Sequence, residues 1–159
     1  MKIKATEMLL LDDMHNVIEL SKQFHEECEQ GIAFNEKITY MNFLRVLKDI
    51  ERTTSNVWVV YRDKEAIGWA YGFMSDILFS EDKEASLVYW YVVPKHRKSR
   101  AAFELLHTFQ NWAKLSGAKR IIVGAGRVDH EEANSINKMF VNRGLARYGS
   151  TFYSDIKDK

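Results

Sequence analysis

An α/β (α+β) fold built on a mixed central sheet is predicted by three observations. Leu87–Val93 is an unbroken apolar run, Ile121–Ala125 is a second, and the amphipathic stretch 99–116 lies between them. Two strands joined by a helix must run parallel, with a right-handed crossover. Earlier in the chain, Val57–Tyr61 and Ala66–Met74 flank Asp63-Lys64-Glu65, which reads as an antiparallel hairpin. Two helical stretches precede that hairpin, so the order differs from a simple alternation of strand and helix.

Each element has its own local reason. Residues 2–5 form an opening strand. Asp12 or Asp13 can cap a helix running to about Gln30, with Met14, Val17, Ile18, Phe24 and Cys28 near helical spacing and Gly31 ending it. Residues 31–38 are a loop. Thr39 then caps a second helix to about Arg52, with Phe43, Leu44, Val46, Leu47 and Ile50 inward. Residues 75–85 are a polar, acidic connection. Leu87–Val93 lacks polar alternation, as expected of a central strand covered on both faces. In the third helix, Ala102, Leu105, Leu106, Phe109, Trp112 and Ala113 form one stripe, and Gly117 stops it. Ile121–Ala125 is a short buried strand. A polar loop, 126–133, leads to a helix from Asn134 to Arg143, stopped by Gly144. Arg147–Ile156 is a last strand or hairpin. The order is β-α-α-β-β-β-α-β-α-β, one domain over 1–159.

Composition excludes several classes. With 46% hydrophobic residues, 159 residues can bury one sizeable core. Twenty-three basic against 22 acidic residues leave a net charge of +1, which argues against a nucleic-acid binder. No apolar run reaches the roughly 18 residues of a membrane helix, and a secretory leader is not evident. Cys28 is the single cysteine, so no intrachain disulfide can form, and the chain suits the reducing cytoplasm. Its spacing makes it a buried small hydrophobe. The histidines lack ligand spacing with cysteines or carboxylates, so no metal is expected.

The most informative stretch is Val92-Val93-Pro94-Lys95-His96-Arg97-Lys98-Ser99-Arg100-Ala101-Ala102. A strand feeds a basic turn and then a helix N-terminus. The first helical turn presents unpaired N–H groups and partial positive charge, which together attract phosphate. Read for charge alone, such a turn is more often a solvated surface loop.

The residue pattern adds to this. Val92-x-Pro94-x-x-Arg97-x-x-Arg100-x-Ala102, followed by Leu105-Leu106, resembles the acetyl-CoA signature of the GCN5-related N-acetyltransferase (GNAT) family. That signature is V-x-P, then Q/R-x-x-G-x-G/A, then paired leucines. Arg100 stands where the family usually has glycine. The Ser-Arg-Ala-Ala spelling is similar to phage-type members. Phe140-Val141-Asn142-Arg143-Gly144-Leu145 looks like the family's second segment, Y/F-x-x-x-G-F. The element order is also that of a GNAT-like mixed sheet, so the resemblance covers nearly the whole chain.

The resemblance implies acetyl-CoA as acyl donor and an amine as acceptor. It implies that the strand ending at Val93 splays from its parallel neighbour, so that pantetheine amides pair with the backbone of Tyr91, Val92 and Val93. It places the pyrophosphate on N–H groups of Lys98, Ser99, Arg100, Ala101 and Ala102, with the Arg97 and Arg100 side chains toward phosphates. It also implies an asparagine on the pantetheine arm, for which Asn134 and Asn137 compete; helix capping is the other role open to Asn134.

Proton-transfer residues are less marked. Phe140 occupies the position where many members have the tyrosine that protonates the thiolate, so Tyr148 or Tyr153 stands in as acid, although a lone strand tyrosine is more often structural. For the base, Glu84 acting through water, with Tyr89 and Tyr91 on the strand, is set against His25 and His130. Glu26, Glu27 and Glu29 beside the 29–38 loop suit a cationic amine, although such a cluster is more often a solvated helix face. A second copy of the chain is a candidate partner. The rival reading is a non-catalytic protein on the same fold, favoured by Phe140 and by the lack of an evident base.

Overall fold

A computed structural model describes residues 2–28, 31–124 and 130–149, without the side chains of 130–132. The chain falls into two compact units, residues 1–127 and 128–159.

The first unit holds one five-stranded sheet in the order β1-β2-β3-β4-β5. Its strands are β1 (Ile3–Glu7), β2 (Ser55–Arg62), β3 (Glu65–Asp76), β4 (Lys83–Val92) and β5 (Ala118–Val123). The first four pair antiparallel in sequence order, and β4 pairs parallel with β5. The helices are α1 (Leu11–Cys28), α2 (Glu36–Lys48) and α3 (Ala101–Leu115), with a 3-10 turn at Pro94–His96.

Neighbouring strand residues point to opposite faces, and that sorts the helices. On one face Trp69 meets Phe24 of α1 and Phe43 of α2, at ring separations of 6.3 and 5.5 Å. On the other, Trp58, which pairs with Ala70, meets Phe109 and Trp112 of α3 at 5.9 and 5.3 Å. The core is therefore a three-layer stack. β2 is its centre, with residues 56–60 all buried.

Local chemistry sets the boundaries. Asp13 reaches back so that Oδ2 accepts the N–H groups of Leu9 and Leu10, the carboxylate half of a capping box. Asn35, rather than the expected Thr39, caps α2: its Oδ1 accepts from Ile38 N–H at 3.0 Å. Thr39 is already inside the helix, and its hydroxyl back-bonds to the Asn35 carbonyl. α2 ends at Lys48, so Ile50 falls beyond the periodic face and is 92% exposed instead of inward. The hairpin turn is tighter than expected: Asp63 adopts φ +57° beside Lys64, and Glu65 already begins β3. The acidic connection shrinks to residues 77–82 because both strands extend into it. Gly117 ends α3 at φ +83°.

Three burial expectations change. β4 is not covered along its whole length, since Val88 and Tyr89 are 43% and 44% exposed where the register slips opposite Tyr71/Gly72. The slip makes Val88 a bulge that turns the strand. β5 begins earlier, at Ala118, and is half-buried rather than buried. Cys28 is half-buried as well.

The second unit contains α4 (His130–Asn142), which Gly144 ends at φ +81°. It starts four residues before Asn134, so that residue lies within the helix and does not cap it. Residues 145–149 form no strand, and the rest of the expected Arg147–Ile156 element lies outside the described residues.

Candidate active site: the β4–β5 fork

Register creates the site. Among the described residues, β4 and β5 pair from Lys83/Ala118 to Leu87/Val123 and no further. β4 runs on to Val92 against β3 alone. The two parallel strands thus form a fork, closed at Leu87/Val123 and open toward Pro94.

The ladder decides which backbone groups face the opening. Val93 donates its N–H to the Ile67 carbonyl at 3.0 Å, on the β3 side. Antiparallel ladders alternate by residue, so Tyr91 also faces β3 and Val92 faces the fork. Of the three residues expected to meet a pantetheine arm, only Val92 turns its backbone to it. Gly68 makes the close pairing possible: a Cβ there would strike the Tyr91 carbonyl and crowd Val60.

The basic turn follows directly. Among its N–H groups, Ser99 donates to the His96 carbonyl and Ala101 to Ser99 Oγ, at 3.0 and 3.2 Å. Among the described residues this leaves the N–H groups of Lys98, Arg100 and Ala102 at the head of α3 for an anion. Ala101 is buried and Ala102 half-buried, so small side chains let the backbone come forward.

Its positive charge is largely answered from within. Lys95 Nζ donates to Glu65 Oε1 at 2.6 Å, which lowers the Glu65 carboxyl below its usual range. Arg97 donates from Nε to the Val92 carbonyl at 3.1 Å, pairs through Nη2 with Glu27, and lies over the Tyr91 ring. Arg100 bonds Glu104 at 3.2 Å and covers Phe103. His96 is buried, with Nδ1 3.0 Å from Arg62 Nη1. A guanidinium can only donate, so that nitrogen accepts and the ring proton sits on Nε2. Lys98 is exposed.

A band of aromatic rings backs the fork on the α1–α2 side. Tyr89 stacks on Trp69 at 6.4 Å, and Phe24 sits edge-on to both Tyr89 and Tyr91 at 5.9 Å. The Tyr91 hydroxyl donates to Glu27 Oε2 at 3.1 Å. Burial, and secondarily Glu27, pushes its pKa up to about 12. That phenol stays neutral at ordinary pH and is no ready base.

Glu84 lies on the closed side of the fork. Its Oε2 accepts from Arg120 Nε at 3.0 Å and from Nη2 of the same side chain. His25 packs its ring on Phe34 at 5.4 Å. In the second unit, Asn134 and Asn137 are exposed on one face of α4, Phe140 is buried, and Tyr148 is exposed. Tyr153 and Glu29 lie outside the described residues, as does the side chain of His130. Among the described residues, no three His, Cys, Asp or Glu side chains gather as a metal site needs, and no helix is long and apolar enough to cross a membrane.

Sequence reasoning set Glu27 beside the 29–38 loop without its bonds to Arg97 and Tyr91, and it missed Trp90. Trp90 donates from Nε1 to the Gly124 carbonyl at 2.9 Å, across the fork. Neither contact has a signal in the sequence, because the partners are 70 and 34 residues apart. Gly68, isolated inside a strand pattern, did carry one.

An antiparallel sheet that ends in a parallel β-α-β fork, with a basic turn and a helix N-terminus at its mouth, defines a mixed-sheet α+β class of protein. The sequence model of the acetyltransferase (GNAT) family matches residues 14–137. The chain belongs to that family. Solved structures agree on the fold. The aminoglycoside acetyltransferase AAC(6')-Iy, in complex with a bisubstrate analogue, superposes with a TM-score of 0.74 at 14% identity, over 99% of this chain and all of that one. Glucosamine-6-phosphate N-acetyltransferase from Arabidopsis thaliana gives 0.73 at 11%, with 99% and 100% covered. Ribosomal-protein-alanine N-acetyltransferase from Brucella melitensis biovar Abortus 2308 gives 0.69 at 14%, with 98% and 100% covered. At these identities the likeness is one of fold. No curated protein sequence matches the chain.

Proposed function

We propose that this protein moves an acetyl group from acetyl-CoA to an amine of a small molecule or a protein. The observation that carries this reading is the fork: a β4 edge at Val92 with no strand partner among the described residues, leading straight into the donors at the head of α3.

The donor supplies an activated acyl carbon and a thiolate leaving group. The chain's residues do the rest. Val92 offers its backbone to a pantetheine amide, as strand addition does. The N–H groups of Lys98, Arg100 and Ala102, with the Lys98 ammonium, hold the pyrophosphate. Arg97 and Arg100 exchange their carboxylate partners for phosphate oxygens. On the second unit, Asn134 or Asn137 bonds the arm and Phe140 packs against it, an assignment that rests on the resemblance.

For transfer, a new N–C bond forms as the C–S bond breaks. The amine loses a proton and the thiolate gains one. Glu84 takes the amine proton through water. Tyr148 or Tyr153 gives one to the thiolate, a modest service because a thiol pKa near 8.5 already makes a fair leaving group. Glu26, Glu27 and Glu29 favour a cationic acceptor. The lone half-buried cysteine suits the reducing cytoplasm, and a homodimer is in keeping with the fold.

Thermal unfolding with acetyl-CoA tests the reading, because a ligand bound to the native state raises Tm by mass action. Mass spectrometry of amines, polyamines and cell extract then reads the product. A raised Tm and an acetylated amine are expected. No Tm shift at millimolar acetyl-CoA overturns donor binding, and binding without any acetylated product favours the non-catalytic alternative.

A further inference from the structure

We infer that Trp90 is the residue that limits the length of the acyl group this protein accepts. The inference rests on the reading of the fork as the acyl-CoA site and goes beyond it.

The argument starts at the apex. β4–β5 pairing ends at Leu87/Val123. One residue past that apex on the β5 side is Gly124, and three residues past it on β4 is Trp90. The indole spans the gap, donating from Nε1 to the Gly124 carbonyl at 2.9 Å. A side chain thus makes the first link across the fork just where the backbones stop pairing. Trp90 pairs across β3 with Ala70, so it belongs to the α3 face, and it is half-buried rather than part of the packed core.

Chain length places the thioester beside this strut. The pantetheine arm has about twelve bonds between phosphate and sulfur, the equivalent of roughly four extended residues or about 14 Å. Counted back from Val93, the last residue before the turn that carries those donors, four residues reach Tyr89. The acyl carbons extend from there toward the apex. The Trp90 ring, leaning to Gly124 one residue past the apex, therefore borders the space that acyl carbons enter. The bulge at Val88 turns β4 at the same level. An acetyl group fits short of the indole, and a butyryl group meets it.

Calorimetry with acetyl-CoA and butyryl-CoA, on the parent and on Trp90→Ala and Trp90→Phe, tests this. The readout is the ratio of the two affinities within each protein, so general weakening cancels. The parent should prefer acetyl-CoA by about ten-fold or more, since one methylene in an apolar pocket is worth roughly 10–200-fold. Trp90→Ala should bring the ratio to within about three-fold. Trp90→Phe keeps a ring but loses the N–H anchor, so its ratio should fall in between. Equal binding of both ligands by the parent overturns the inference, as does a ratio that survives in both variants. If neither ligand binds the parent, the acyl-CoA reading itself fails, and the inference goes with it.

Discussion

The guanidinium of Arg97, in the basic turn, is bonded to the carboxylate of Glu27, at the end of the first helix. The same carboxylate accepts the Tyr91 hydroxyl. One acidic residue thus ties α1 both to β4 and to the turn that would hold phosphate. Arg97 also covers the Val92 carbonyl, which is turned to the open edge. For the fork to receive a pantetheine amide and a pyrophosphate, Arg97 has to give up both contacts.

The first prediction follows from that competition. Glu27→Gln removes the anion that holds Arg97, so CoA should bind a few-fold more tightly, within the about 1 kcal/mol expected of a partly exposed ion pair. The gain should shrink at high salt. Arg97→Glu should act oppositely and weaken binding by one to two decades, the worth of a charge-assisted hydrogen bond of about 1.5–3 kcal/mol. Titration calorimetry measures both. Weaker binding in Glu27→Gln would mean that Glu27 prepares Arg97 instead of competing for it.

The second concerns alkaline stability. Tyr61 is pushed up to about 12 by burial and by its 2.6 Å hydrogen bond to Asp13, and Tyr91 to about 12 by burial and Glu27. Both folded values lie above the ordinary 10. Between pH 10 and 12 the native state therefore binds more protons than the unfolded chain, and stability falls as pH rises. The contribution is complete below pH 10 and is lost through about 12. Denaturant unfolding at stepped pH should show this decline, and the double variant Tyr61→Phe/Tyr91→Phe should show a shallower one. Identical slopes would count against the assignment.

Close backbone approach supplies the third. Gly68→Ala drives a Cβ into the Tyr91 carbonyl, while in Gly72→Ala the Cβ meets the Phe109 ring at 3.0 Å and the Ser86 carbonyl at 3.1 Å. The second approach is relieved by a shift of a few tenths of an ångström, and the first is an outright clash. Gly68→Ala should lose about 3 kcal/mol and Gly72→Ala nearer 1, the range of overpacked cores. Only Gly68→Ala should also weaken CoA binding, because it moves β4 at the fork. Equal losses in both properties would refute the distinction.

Acid catalysis is the subject of the fourth. Phe140 has no hydroxyl to offer a thiolate. Phe140→Tyr should raise turnover or leave it nearly unchanged, and Tyr→Phe at the working acid should lower it, toward the small end of the ~10²–10⁴-fold typical of general acids. Steady-state rates of Tyr148→Phe and Tyr153→Phe decide which it is. If both are fully active, water protonates the thiolate.

Strong local patterns were legible from the chain alone. The helical stripe Leu105, Leu106, Phe109, Trp112 and Ala113 is buried as spaced, and Gly117 and Gly144 end helices at positive φ as glycine allows. These features depend on residues within a turn or two of each other, where periodicity and steric freedom act directly. Boundaries were less legible. Thr39 and Asn35 can each cap a helix, and only the competition between them shows that Asn35 does so. Ile50 has the right spacing for α2, but the helix stops before reaching it.

By itself the sequence determined the fold class, the parallel β-α-β unit and the position of the phosphate-type turn, because all three are written in contiguous residues. Tertiary structure alone decided how that turn is used. It neutralised Lys95 and Arg97 with carboxylates from Glu65 and Glu27. It turned Val92 rather than its neighbours to the fork, and it laid Trp90 across the gap. Hydrogen-bond register and long-range ion pairs join residues far apart in the chain. Their partners are chosen by how strands align and helices pack, and no local spacing records that choice.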